Sequence, residues 1–216
     1  FCTLQLADFS KSAIKWRRMI RVIISFLLII VVIISCGREE ERKGDIFFNA
    51  GKFKDAINAY NEILKLNPTD IESIYNRGRS YEELGQFEVA RADFKSVLEL
   101  DKKNTSAYLS LAKYYYRKGN YKQALFEAQN AVKLNDQLAQ AFFWEGRSLH
   151  QLGEFDKALI SYNSTINLKR NLGEAYLYRG AIYIQLKRTK SACRDFNSAD
   201  NLKVEEAKTA INTYCN

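Results

Sequence analysis

The chain of 216 residues holds a single histidine, His150. A metal site built from several histidines, or a Ser-His-Asp arrangement, therefore has little to draw on. His150 itself reads as a residue on a solvent-facing helix flank. No GxxxxGK(S/T) phosphate loop and no GxGxxG fingerprint occurs. The Asp and Glu residues are scattered at surface-type positions, where they are solvated partners for Lys and Arg rather than an acid–base pair. The expectation is a protein that is not an enzyme and carries no cofactor and no metal. Proline is reduced to Pro68, and no Pro/Gly/Ser-rich stretch interrupts the chain, so one elongated domain is expected.

What the sequence does contain is a period. Ala56, Ala90, Ala124, Ala158 and Ala192 recur every 34 residues, and Gly44, Gly78, Ala112, Gly146 and Gly180 form a second small-residue column. Leu66, Leu100, Leu134, Leu168 and Leu202 make an aliphatic column. Bulky residues fill two more: Phe47, Tyr81, Tyr115, Leu149 and Tyr183, then Tyr60, Phe94, Tyr162 and Phe196, with Ala128 as the exception. A fixed period of this length marks a stacked repeat. Within one unit, Ile74, Gly78, Tyr81 and Leu84 fall at helical steps, Gly85 breaks the run, and Phe87, Ala90, Phe94, Val97 and Leu98 restart it. Gly51, Gly119 and Gly153 stand at the equivalent break, suited to a helix end with positive φ, whereas the fifth unit has Lys187 there. Each unit reads as helix, tight turn, helix, and a single pair buries its apolar face only by stacking on its neighbours.

The segments IYNRGRSYEELGQFEVARADFKSVLEL, YLSLAKYYYRKGNYKQALFEAQNAVKL and FFWEGRSLHQLGEFDKALISYNSTINL resemble the tetratricopeptide repeat family. The resemblance covers residues 37–204, with Pro68 where that family often ends its second helix. It implies an all-α solenoid of about five helix-turn-helix units: 37–70, 71–104, 105–138, 139–172 and 173–204. Residues 205–216 would form a C-terminal capping helix, with Ala207, Ile211 and Tyr214 at helical steps. The first unit departs most, since Glu40 and Lys43 stand where bulky or apolar residues are common. Its first helix reads as frayed or as a polar cap.

Residues 22–34, VIISFLLIIVVII, are apolar apart from Ser25. As a helix this run spans about 20 Å against about 30 Å of hydrocarbon, short for a membrane crossing. It follows Arg21 and ends in Ser35-Cys36-Gly37, the layout of a secretory signal. A cysteine directly after the small residue resembles the bacterial lipoprotein signal, which implies cleavage and diacylation of Cys36. The alternative is an uncleaved anchor with Cys36 unmodified. The only methionine, Met19, stands where an initiator belongs, so 1–18 reads as upstream leader and 19–35 as signal peptide. Residues 36–43 would be anchor and tether, the seven after Cys36 reaching about 25 Å at most. Gly37 resembles the sorting position of outer-membrane lipoproteins, and the basic-then-acidic string after it resembles surface-export signals of some Bacteroidetes lipoproteins. The expected location is the cell envelope, lipid-anchored at the outer membrane, on its periplasmic face or at the cell surface.

Lys11, Lys15, Arg17, Arg18, Arg21 and Asp8 fall before the expected cleavage site, so the formal net charge of +8 shrinks to about +4. That is an ordinary surface balance and gives no argument for nucleic acid as a partner. Cys193 and Cys215 remain after Cys2 and Cys36 are set aside. In an oxidising compartment an even pair favours a disulfide stapling the terminal helix; two free thiols packed as small hydrophobes are the alternative.

In the fold this resemblance implies, the first helix of each unit lines a concave surface. One row there would carry Tyr75, Leu109, Phe143 and Leu177; the next Arg79, Lys113 and Arg147, flanked by Asp45 and Ala181; a third Glu82, Tyr116, His150 and Ile184. A cationic stripe beside an apolar-aromatic one suits a peptide or protein partner with a carboxylate and apolar side chains. The family's clamp for chaperone tails is not reproduced, because Glu41 and Asp45 occupy places where it wants basic or amide groups. The expected function is a non-enzymatic, membrane-anchored protein–protein interaction scaffold. The alternatives are a recruiting subunit for cell-wall or glycan processing, weakened by Trp144 being the only tryptophan after the leader, and a structural envelope lipoprotein.

Overall fold

A 34-residue period built on alanine and glycine dictates close helix pairs, and helix pairs are what the chain forms. A computed structural model describes residues 43–215. The leader, the apolar run 22–34, Cys36, Gly37 and Glu41 lie outside the described residues. Helical residues 43–49 (α1) are followed by α2 (Phe53–Leu66), α3 (Ile71–Glu83), α4 (Phe87–Leu100), α5 (Thr105–Arg117), α6 (Tyr121–Leu134), α7 (Ala139–Gln151), α8 (Phe155–Leu168), α9 (Gly173–Gln185), α10 (Thr189–Asn201) and α11 (Glu205–Tyr214). No strand occurs among the described residues. The helices group into two compact units, one ending at Ser80 and one beginning at Tyr81, with the boundary inside α3.

The turns explain the glycines. Gly51, Gly85, Gly119 and Gly153 hold φ between 71 and 77°, the left-handed region that an L side chain resists. The fifth turn keeps this conformation without glycine, for Lys187 sits at φ 57°. Asparagine caps start α5 and α6, where Asn104 Oδ1 accepts from Ala107 N and Asn120 Oδ1 from Gln123 N.

The small columns let the two helices of a pair touch. Ala56, Ala90, Ala124, Ala158 and Ala192 are all buried. A Cβ added to Gly44 would lie 2.5 Å from the ring of Tyr60, and one on Gly180 would lie 2.6 Å from Phe196. The ring of the second helix therefore rests directly on the glycine of the first. This accounts for the exception in the aromatic column: the third unit carries Ala112 instead of glycine, and Ala128, also fully buried, stands opposite instead of a ring. One methyl gained on one helix is matched by an aromatic lost on the other.

The leucine column lies largely outside the core, with Leu66 81 % exposed and Leu202 37 % exposed. Two expectations change. The acids are not all superficial. Asp93, Glu127 and Asp195 recur at the repeat spacing and are buried. Asp195 forms a two-pronged pair with Arg179, 2.7 Å from Nε and 2.7 Å from Nη2, while Arg179 Nη1 donates to Asn163 Oδ1 at 2.6 Å. Gln123 donates to Glu127 at 2.7 Å, and burial pushes the Glu127 carboxyl up. Finally, His150 is half-buried with its ring 5.8 Å from that of Phe155, not on a solvent-facing flank.

Helix α11 closes the second unit. The Cys193–Cys215 disulfide ties its end to α10, the Phe196 and Tyr214 rings lie 6.3 Å apart, and Ala207 is buried. At its start Val204 sits so close to Gly173 that no side chain would fit there. Among the described residues no helix is long and apolar enough to cross a membrane.

Candidate functional site

In the second unit, α5, α7 and α9 are the first helices of successive pairs, so equal positions on them recur at the repeat spacing. Arg147 lies near the middle of α7 and is the centre of the site. Its Nε and Nη2 donate to Tyr116 Oη at 3.2 and 2.9 Å. The guanidinium carbon lies 4.1 Å from the Tyr178 ring centre, 4.4 Å from Tyr116, 5.4 Å from Trp144 and 5.8 Å from Phe143. Four rings thus surround one cation, and each face contributes attraction through its quadrupole. No carboxylate pairs with Arg147 among the described residues.

The rings hold each other in place. Tyr116 packs at 5.3 Å on Tyr121 and at 5.4 Å on Trp144, and Tyr178 stacks on Tyr162 with 6.4 Å between centres. Tyr162, of α8, lies over the bare Cα of Gly146, where an added Cβ would be 3.0 Å from its ring. The Tyr162 hydroxyl and the Trp144 Nε1–H are buried with no hydrogen-bond partner among the described residues. Burial pushes the Tyr162 hydroxyl far up, with Arg147 opposing the shift. Burial, and then the neighbouring Arg147 charge, holds His150 below its ordinary 6.5.

The structure brings together Tyr116, Phe143 and Arg147 of the expected groove residues. Phe143, expected as an open groove residue, is instead a buried member of the core cluster with Leu149, Tyr162 and Ile182, because its α7 position faces the stacking seam. Lys113 reaches Glu82, with Nζ 4.0 Å from Oε1, so its charge is already partly answered. Leu109 and Leu177 are half-buried on α5 and α9. Tyr75 and Arg79 belong to the first unit, where Arg79 is exposed and lies 4.3 Å over the Phe48 ring. Trp144, Tyr162 and Tyr178 were not anticipated. Tyr178 neighbours the expected Leu177 and stands one repeat after Trp144, itself one turn before Arg147, so following that row through the period would have found both rings. Among the described residues no group of three His, Cys, Asp or Glu is placed to hold a metal ion.

Sequence models of the tetratricopeptide repeat match residues 44–85 and 75–139. The Hsp70-Hsp90 organizing protein 1 of Arabidopsis thaliana is 44 % identical over 48 residues, 22 % of this chain and 8 % of that protein. The chain therefore spans under a tenth of that relative's length. Among solved structures, MamA superposes with a TM-score of 0.67 at 29 % identity, over 76 % of this chain and 96 % of its own. YrrB, described as a tetratricopeptide repeat protein with an unusual peptide-binding site, gives a TM-score of 0.64 at 21 % identity, over 77 % and 87 %. The chain carries tetratricopeptide repeats, and its fold is an all-α tetratricopeptide-repeat solenoid. Such repeats mediate protein–protein interaction, and the scaffold is typically non-enzymatic.

Proposed function

We propose that this chain is a non-enzymatic, membrane-anchored docking scaffold, holding a protein partner through the face of α5, α7 and α9 around Arg147. One observation carries the reading: a half-buried guanidinium ringed by four aromatic side chains, with no carboxylate of its own among the described residues. Both hydrogen bonds to Tyr116 use the Nε–Nη2 edge. The Nη1–Nη2 edge is left for an incoming acceptor, and this fork matches a carboxylate. Tyr116, Leu109 and Leu177 supply amphipathic surface beside it for apolar side chains. Support for the anchor is the sequence pattern of residues 22–37, which fits lipidation at Cys36 and an outer-membrane location.

The test is crosslinking in living cells from a photoreactive residue at Tyr116 or Leu177, with and without Arg147→Glu. One dominant protein adduct is expected, reduced about a hundredfold by the reversal, the scale of losing a charge-assisted interfacial pair, while helicity is unchanged. Capture that survives Arg147→Glu, or adducts arising only from the exposed second-helix positions Phe126 and Ile160, would move the function off this face.

A further inference from the structure

We propose that the outer face of α6 and α8 docks a second copy of this chain, the two copies meeting about a two-fold axis that runs along and midway between these helices. The inference goes beyond the docking of a partner on α5, α7 and α9, and it uses the other helix of each pair. Phe126 and Ile160 hold equal positions one repeat apart on α6 and α8, and they are 56 % and 66 % exposed. The same position carries Ala92 on α4 and Arg194 on α10. A single exposed apolar side chain is ordinary. What selects the occupant here is the charge around the two.

One turn earlier on each helix, on the same exposed face, the charges alternate: Glu88, Lys122, Asp156 and Lys190 on α4, α6, α8 and α10. The proposed axis lays α6 of one copy over α8 of the other, and α4 over α10. Every charge of the row then meets its opposite, with Lys122 facing Asp156 twice and Glu88 facing Lys190 twice. Phe126 faces Ile160 twice at the centre, and Arg194 faces Ala92. One turn later the row is Ser96, Asn130, Ser164 and Ser198, which brings no charge against its counterpart. Neither Lys122 nor Asp156 has an ion-pair partner among the described residues, whereas Glu88 is already held by Lys118 at 2.8 Å. The two central Lys122–Asp156 pairs therefore carry the electrostatic part of the contact. A partner of one charge sign would be repelled at half of this row. A copy of the same surface is repelled nowhere along it.

The test measures self-association of the full chain in detergent by light scattering, and a monomer–dimer equilibrium is expected. Lys122→Glu alone and Asp156→Lys alone each set two like charges against each other twice per dimer. Each should weaken the dimer about a hundredfold, the scale of reversing close interfacial charges, with helicity unchanged because both sites are exposed. Mixed in equal amounts, the two variants should dimerise again, since each offers the other the sign it has lost. Monomer at every concentration overturns the proposal. So does a dimer that neither reversal weakens, which would rest on another part of the chain, and so do two weakened variants that fail to recover on mixing. Arg147→Glu should leave the dimer intact, so the pairing and the docking face stand or fall separately.

Discussion

Lys187 occupies a backbone conformation that four other turns give to glycine, at φ 57° against 71 to 77° for Gly51, Gly85, Gly119 and Gly153. A lysine Cβ is strained there, and no such strain exists for glycine. Lys187→Gly should therefore stabilise the protein by about 1 kcal/mol, read as a melting temperature higher by roughly 2–4 °C. A lower melting temperature would show that the lysine side chain contributes something the turn needs. The other instructive residue-scale feature is compensation. Ala112 facing Ala128 keeps the helix approach that glycine facing an aromatic ring gives elsewhere, so an outlier in one column explains an outlier in another. Buried acids show the reverse limit of reading single positions. Asp195 lies on a polar-looking stretch of α10, and only the bidentate contact with Arg179 reveals why it is inside.

At the scale of elements, α11 is held by Ala207, by Tyr214 against Phe196 and by the Cys193–Cys215 bond. Closing a loop with a sequence separation of 22 restricts the opened state by about 3 kcal/mol in the chain-entropy account. Reduction should release α11 first, so hydrogen exchange after reduction ought to rise across 205–214 and stay unchanged in α5–α8. Uniform protection after reduction would mean that packing alone holds the helix. The helix pairs themselves were legible in the sequence because close approach demands alanine and glycine at fixed steps, and five units repeat the demand. The site was legible only in part. Arg147 and Tyr116 stand on rows that periodicity finds. Phe143 shares its row with Leu109 and Leu177, yet it faces the seam where α7 packs on α8 and α9, and helical spacing on one helix cannot separate those two faces. Tyr162 sits in the core column, and its stacking on Tyr178 joins neighbouring repeats in a way that only three-dimensional contacts reveal.

For the molecule as a whole, two groups shifted by burial, half-buried His150 and buried Glu127, pull the response to pH in opposite directions. His150 is held below 6.5 by burial and by Arg147. On acidification the unfolded chain takes up this proton before the folded one does. Its contribution to stability is therefore complete above 6.5 and is lost as pH falls toward the depressed folded value. Glu127 is raised above 4.5 by burial, so its contribution is complete below 4.5 and is lost as pH rises through the folded value. Near neutrality the histidine effect governs the slope. The urea midpoint should fall between about pH 7.5 and pH 5.5, the range in which an ordinary histidine titrates, and His150→Gln should flatten that fall. A slope unchanged by His150→Gln would assign it to other groups.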